Sequence, residues 1–193
     1  DRRLRKREGE EAEAERQRVD TAIQQVDRVA DLVSRMLDVS RVDMGSLDVS
    51  PGATDAVPLL NEVVNAAIGL DPTREFRVTA PDAMPVVWDA SRINQVLNNL
   101  MQNAARYAPG TLVEITLEER PNDRVRLQVR DHGPGVPEKI RRRLFKQYYR
   151  FDDGQEDETQ MASDGNRGLG IGLYISARLV KAHHGTLRVD NHP

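Results

Sequence analysis

Two asparagines four residues apart, Asn99 and Asn103, are the first side chains whose type and spacing suggest chemistry. A helix predicted from Ser91 to about Tyr107 places both on one face, opposite its apolar stripe, with Arg106 one turn further on. Amide oxygens are neutral, hard ligands that suit a magnesium ion which keeps most of its waters and also binds phosphate oxygens. The pattern is also typical of a solvent-facing polar surface, so the helix alone leaves two interpretations open.

The segment DHGPG, residues 131–135, supplies a second candidate group. Asp131 ends a strand-like stretch, and its carboxylate can accept a hydrogen bond from an exocyclic amine. Gly133 and Gly135 then permit a flat ligand to approach bare backbone. The competing interpretation is a simple reversal of the chain, because such elements are common in turns.

A third candidate is the segment GLGIG, residues 168–172, at the start of an apolar helix. Its glycines leave backbone N–H groups at the positive end of the helix, where an anion can bind. It does not match the phosphate-loop pattern that ends in Lys-Ser or Lys-Thr. The polar run at 152–167 that precedes it is long and irregular, which predicts either a mobile lid or a disordered loop.

The elements that must position these groups alternate between two periodicities. Helical patterns occupy residues 56–70, 91–107 and 172–183, and a short helix is expected around 137–145. Strand patterns occupy residues 74–80, 85–90, 111–119, 124–130 and 186–190, and the third and fourth form a hairpin. We therefore predict an α+β fold, a two-layer sandwich of one mixed or antiparallel sheet with helices on one face.

A long amphipathic helix precedes this domain. Apolar or small residues recur at alternating steps of four and three from Val19 to Met44, which is a heptad pattern. Val29, Leu32 and Met36 widen the stripe, and this favours a bundle of helices and a homodimer over packing on the helix's own domain. We predict a dimerisation helix at residues 1–49 and a second domain at 50–193.

Composition excludes several classes of protein. The 193 residues carry a net charge of -3 and no basic patch, which argues against a nucleic-acid partner. There is no cysteine, hence no disulfide framework and no thiolate metal site. No apolar run approaches the roughly 20 residues that cross a bilayer. We expect no membrane contact from this fragment and a cytoplasmic, bacterial location, with the fragment belonging to something longer.

Taken in order, four segments resemble the N, G1, F and G2 boxes of sensor histidine kinases: DASRINQVLNNLMQNAARYAP, DHGPG, LFKQYYR and GLGIGLYISARLVKAHHG. These enzymes share a superfamily with gyrase, the ninety-kilodalton heat-shock chaperone and the mismatch-repair ATPase. The resemblance covers about residues 55–190 and implies a Bergerat-type ATP-binding fold. The segment LVSRMLDVSRVDMGSLDVS also resembles the second helix of that family's dimerisation hairpin.

The resemblance implies a Mg-ATP site. Asn103 would bind magnesium, Asn99 would support the metal and phosphates, and Arg106 completes the set expected to act in catalysis. Asp131 would accept from the adenine amine, and Phe145, Tyr148 and Tyr149 would prop a lid at about 150–167. The nucleotide-binding residues implied are Asn99, Asn103, Arg106, Tyr107, Asp131, Gly133, Gly135, Tyr149, Arg150, Arg167, Gly168, Leu169, Gly170, Ile171, Gly172 and Leu173.

The reaction implied is transfer of the γ-phosphoryl group to a histidine of the dimerisation domain, then to an aspartate of a response regulator receiver domain. Hydrolytic members of the superfamily carry a glutamate where this chain has Asn99, so transfer to a protein is favoured over ATP hydrolysis. No histidine precedes His132, and Lys146 and Gln147 replace an acid and a proline common in the aromatic box. The alternative is a degenerate nucleotide-binding interaction module. A serine kinase of the anti-sigma type is disfavoured, because such proteins lack the heptad helix.

Overall fold

The computed structural model describes residues 2–44, 47–152, 155–157 and 170–191. In chain order the elements are α1 (Arg2–Asp43), β1 (Gly52–Asp55), α2 (Ala56–Leu70), β2 (Phe76–Thr79), β3 (Pro85–Trp88), α3 (Ala90–Tyr107), β4 (Val113–Arg120), β5 (Arg124–Asp131), α4 (Glu138–Arg141), a 3₁₀ turn (Arg143–Phe145), β6 (Arg150–Asp152), β7 (Gln155–Asp157) and α5 (Gly172–Ala182). The α+β class predicted from the sequence is confirmed.

The sheets are built from both parallel and antiparallel pairs. The larger sheet has the order β2-β4-β5, in which β2 runs parallel to β4 and β5 runs antiparallel to it. The expected hairpin joins β4 to β5, and positive φ angles at Asn122 and Asp123 (65° and 53°) make its tight turn. Such angles give the turn the twist that the flanking strands require.

Aspartates begin the two helices that cover the larger sheet. Asp55 Oδ1 accepts the N–H of Val57 at the start of α2, and Asp89 Oδ1 accepts the N–H of Arg92 at the start of α3. Each carboxylate satisfies an N–H group that has no partner within the helix. Helix α3 ends at Tyr107, just before Pro109 and Gly110, as the sequence predicts.

Two hydrophobic cores lie on either side of α3. The first fills the space between α2, α3 and the sheet, with Leu60, Leu97 and Ile115 fully buried. The second joins α3 to α5 and to the end of α1, through Val39, Ile171 and Leu179. Because α3 contributes Leu97 to the first core and Val96 to the second, it is the central helix of the domain.

Two details differ from the sequence prediction. Among the described residues, β1 and β3 form a separate two-stranded sheet, since no backbone ladder joins them to the larger one. The expected strand at residues 186–190 keeps its alternation, with Leu187 and Val189 half-buried and their neighbours exposed, but it forms no ladder with the described strands. Alternating burial requires only one covered face, whereas a ladder requires a neighbouring strand.

Candidate nucleotide site

Asn99 lies under α5, in the interior of the domain. Its side chain is 8% exposed, and its Nδ2 donates a 3.0 Å hydrogen bond to Ser176 Oγ of α5. The sequence places Asn99 on the face opposite the apolar stripe, and in the structure α5 covers that face at Asn99. A Cβ added to Gly172 would collide with the Asn99 amide, so the glycine is what lets α5 begin this close to α3.

Asn103, Arg106 and Tyr107 lie further along α3 and stay accessible to a ligand. Asn103 is half-buried, and Arg106 and Tyr107 are exposed. Asn103 presents an amide at the border of the core, one helical turn beyond Asn99. An amide oxygen placed there fits a magnesium ion that retains most of its waters, so the donor type and exposure agree with the expected metal role.

The loop that follows β5 lies against the end of α3. Asp131 Oδ1 accepts the N–H of Gly133 at 3.0 Å, which folds the loop back on the strand end. A Cβ on Gly133 would lie 2.7 Å from the Ala108 Cβ, so only glycine permits this approach. Asp131 itself is exposed. Asn103 thus stands between two points where glycines pack on α3, Gly172 beside Asn99 and Gly133 beside Ala108.

The downstream segment is described in part. Gly170 has a φ of 69°, and Ile171 is buried in the second core, so any ligand contact of Ile171 has to come from its backbone. Leu173 is half-buried on the first turn of α5. Arg167, Gly168 and Leu169 lie outside the described residues, as does most of the expected lid; only its first part is described, where β6 pairs with β7.

The aromatic segment before the expected lid packs inward. Tyr149 is 6% exposed, and the Arg143 guanidinium lies 4.9 Å from its ring centroid. Phe145 is half-buried, whereas Tyr148 is exposed with a φ of 59°. Arg150 begins β6. Tyr149 is therefore a buried residue of this segment, and the Arg143 guanidinium lies over its ring.

Arg74 is a buried residue that sequence reasoning missed. Its guanidinium donates to the carbonyl oxygens of Ala104, Ala108 and Thr111 at 3.1, 2.7 and 2.9 Å. A cation at this end of a helix complements the helix dipole and adds a donor to carbonyl oxygens of the last turn. Arg74 therefore fixes the end of α3 that carries Arg106 and Tyr107. Nothing in the local sequence signals it, because arginine is seldom buried.

A second missed cluster attaches α1 to the start of α3. Asp38 is 2% exposed; its Oδ1 lies 3.1 Å from Arg92 Nη1, and its Oδ2 accepts a 2.7 Å hydrogen bond from Gln95 Nε2. Arg92 lies two turns before Asn99 on α3, and Gln95 lies one turn before it. Asp38 is one of five aspartates in the heptad stretch, so the sequence does not single it out, and its partners are more than fifty residues away.

His183 connects the end of α5 to the start of α3. Its Nε2 accepts the N–H of Asp89 at 3.0 Å, and its Nδ1 lies 2.8 Å from the carbonyl oxygen of Leu179. These contacts require a neutral ring with the proton on Nδ1. His132, by contrast, is exposed beside Glu114 on the sheet, and the hydrogen bond from its Nε2 is the main reason that the pKa of Glu114 is lowered.

Comparison with known proteins places these features in a family. Residues 88–193 match the family described as histidine kinase-, DNA gyrase B-, and HSP90-like ATPase. The adaptive-response sensory kinase SasA of Nostoc sp. is 32% identical over 166 residues, covering 84% of this chain and 39% of the relative. The probable sensor histidine kinase TcrY of Mycobacterium tuberculosis is 32% identical over 192 residues, covering 98% of this chain and 38% of the relative.

A solved structure shows the same arrangement. Full-length ShkA in complex with AMPPNP superposes with a TM-score of 0.70 at 26% identity, over 86% of this chain and 33% of that one. The chain spans about two fifths of the length of the curated relatives it matches. Among the described residues, no helix is both long enough and apolar enough to cross a membrane.

Proposed function

This chain belongs to the histidine kinase-, DNA gyrase B-, and HSP90-like ATPase family, and on that premise we propose that it is the ATP-binding catalytic module of a sensor histidine kinase. It binds Mg-ATP and transfers the γ-phosphoryl group to a histidine of the dimerisation domain. The phosphoryl group then passes to an aspartate on a response regulator receiver domain. The names of the two curated relatives support this proposal.

One observation carries the proposal: Asn103 lies on α3 between the Asp131 loop and the start of α5, each of which a glycine brings against the helix. Nine residues of helix, roughly 14 Å, separate Asn99 from Ala108. We infer that an elongated ligand lies along this length of α3, with Asp131 at one end and the backbone N–H groups near Gly172 at the other. The AMPPNP in the ShkA complex supports an adenine nucleotide as that ligand.

Each accessible group has a task in this site. Asp131 would accept from the adenine amine through Oδ2, since its Oδ1 accepts the Gly133 N–H. Asn103 would hold magnesium, which when bound supplies charge neutralisation at the phosphates. Arg106 would add positive charge near the phosphates, and the N–H groups at Gly170–Leu173 would donate to phosphate oxygens. No carboxylate occupies position 99 to activate water, which favours transfer over hydrolysis.

The adenine assignment is tested by the substitution Asp131→Asn. Asparagine keeps an oxygen for the Gly133 N–H but replaces the charged acceptor with an amide. Affinity for Mg-ADP, measured by calorimetry, should fall by about 1.5–3 kcal/mol, roughly ten- to 150-fold. Asp123→Asn in the hairpin turn is the matched control, because it makes the same chemical change at an exposed site away from the proposed nucleotide.

Two results would contradict the proposal. If the wild-type chain does not bind Mg-ADP, the proposal that it is a nucleotide-binding module is wrong. If wild type and Asp131→Asn bind Mg-ADP with equal affinity, the adenine contact assigned to Asp131 is wrong, although nucleotide binding itself stands.

The second candidate function is a nucleotide-binding interaction module without kinase activity. The observation that favours it is the absence of a histidine before His132 in this sequence. Incubation with γ-labelled ATP, with and without a separately supplied acceptor helix, distinguishes the two. Label on the acceptor helix supports the kinase, and nucleotide binding without transfer to any added acceptor helix supports the interaction module.

A further inference from the structure

Asn191 forms a paired contact with the backbone of Val136. The Val136 N–H donates to Asn191 Oδ1 at 2.9 Å, and Asn191 Nδ2 donates to the Val136 carbonyl oxygen at 2.8 Å. The carboxamide therefore offers Val136 one acceptor and one donor, as a neighbouring β-strand would. The two residues lie 55 positions apart in the chain, so this contact exists only in the folded domain.

The loop that receives this contact begins at Asp131. Asp131 Oδ1 holds the Gly133 N–H, and Gly133 packs on Ala108 at the end of α3. Gly135 has a φ of 74°, and a Cβ there would lie 3.1 Å from Asn191 Oδ1. The loop is therefore fixed at its start by its own aspartate, at its middle by α3 and at its end by Asn191.

We propose that Asn191 is a positioning residue for the adenine side of the nucleotide site. This inference rests on the proposed function, since it assigns the 131–136 loop to the nucleotide. A loop with two glycines has many conformations when it is free. If only some of them are competent to bind, the apparent affinity falls in proportion to their population. The Asn191 pair keeps the loop in the conformation that presents Asp131 and the Gly133–Gly135 backbone.

The test compares Mg-ADP affinities of the wild-type chain, Asn191→Ala and Asn191→Asp at pH 7.5. Loss of two hydrogen bonds at an exposed site should weaken binding about three- to tenfold in Asn191→Ala. Asn191→Asp should bind more weakly still, because a carboxylate oxygen then faces the Val136 carbonyl. Asp190→Ala, the exposed neighbour, is the matched control and should bind as wild type does.

Two further measurements separate positioning from a general loss of structure. A protonated carboxyl group has one donor and one acceptor, so it can restore the pair with Val136. The affinity of Asn191→Asp relative to wild type should therefore recover as the pH is lowered to about 4, near the ordinary pKa of an aspartate. Hydrogen exchange without nucleotide should accelerate in Asn191→Ala at residues 131–137 and stay unchanged elsewhere.

The outcomes are distinct. If the wild-type chain does not bind Mg-ADP, the proposed function fails. If it binds but both Asn191 variants match it, the role of Asn191 is overturned and the proposed function stands. A fall in affinity accompanied by faster exchange throughout the domain, with no recovery of Asn191→Asp at low pH, also overturns the positioning role.

Discussion

Asn99 and Asn103 have the same side chain and lie one turn apart, yet their surroundings differ. Asn99 is buried and bonded to Ser176, whereas Asn103 is half-buried at the border of the site. The difference arises because α5 covers only the first of them. Asn99 thus joins α3 to α5, and Asn103 is the more exposed of the two.

We expect substitutions of the two asparagines to separate stability from metal binding. Asn99→Ala leaves the buried Ser176 hydroxyl without this partner and should lower the free energy of unfolding by about 1–3 kcal/mol. Asn103→Ala should leave stability nearly unchanged and abolish the magnesium dependence of ADP binding. Urea unfolding and calorimetry with and without magnesium provide the two measurements, and each variant serves as the other's control.

An equal loss of stability in both variants would contradict the separation of roles. If ADP binding still depends on magnesium in Asn103→Ala, the metal role assigned to Asn103 is wrong.

At the scale of elements, α3 is fixed at both ends by residues from other parts of the chain. At its end Arg74 donates to the carbonyl oxygens of Ala104 and Ala108, and the Asp89 carboxylate caps its start. Asp38 of α1 adds a buried ion pair with Arg92 near that start. A helix held in this way keeps its polar side chains at fixed positions, which a nucleotide site requires.

The Asp38 contact should contribute strongly to stability. Asp38→Ala leaves Arg92 and Gln95 without their acceptor in a largely buried setting, so the free energy of unfolding should fall by about 1.5–3 kcal/mol. Asp48→Ala is the control, since Asp48 is exposed and lies ten residues after Asp38 in the chain. Urea denaturation measures both, and equal stabilities would show that the buried pair adds nothing beyond an exposed charge.

Asp89 should give the stability a dependence on acid pH. Burial alone would raise the pKa of Asp89, but hydrogen bonds from the Ser50 N–H, the Ser91 hydroxyl and the Arg92 N–H outweigh it and lower the pKa. A carboxylate whose folded-state pKa is lowered stabilises the fold above its unfolded-state pKa. That contribution is lost as the pH falls through the folded-state value, so the loss should begin below about pH 4.

The substitution Asp89→Asn isolates this effect. Asparagine also caps helices but has one acceptor oxygen where the carboxylate has two, so the free energy of unfolding at pH 7 should fall by about 0.5–2 kcal/mol. The variant should then lose less stability than wild type between pH 5 and pH 3 in urea titrations. An unchanged pH profile would show that Asp89 does not contribute to the acid sensitivity.

At the scale of the whole molecule, α1 leaves an apolar stripe uncovered. Val19, Ile23 and Val26 are each more than half exposed, and Val33 and Leu37 continue the same heptad face. Of the α1 residues whose burial is described, the fully buried ones lie near the end of the helix, where Val39 packs into the second core with Leu47 and Val49. The boundary we predict near residue 49 stays a prediction, as does the homodimer that this stripe favours.

The dimer prediction can be tested with paired substitutions on the stripe. Val26→Glu with Val33→Glu places charges where apolar side chains should be buried, each worth about 1.5–3 kcal/mol. The dissociation constant of the dimer, measured by sedimentation, should rise at least tenfold, while the affinity for Mg-ADP should not change. Thr21→Glu on another face of α1 is the control. A wild-type chain that is monomeric at every concentration tested would contradict the prediction.

Sequence patterns alone determined the α+β class, the extents of most helices and strands, and the order of the four motifs. These are local properties: periodicity, capping residues and turn residues act over a few positions. The Asn99–Asn103 face illustrates the limit. Spacing correctly placed both on one helix but could not reveal that α5 buries the first of them.

The tertiary structure decided everything that depends on distant partners. Three contacts join residues that are 30 to 55 positions apart: the hydrogen bond of Arg74 to Ala104, the ion pair of Asp38 with Arg92, and the hydrogen bonds between Asn191 and Val136. The sequence does not reveal these contacts, because an arginine, an aspartate or an asparagine has many possible partners. Only the packing of α1, α3 and the end of the chain selects one of them, since hydrogen bonds require contact and contact is set by the fold.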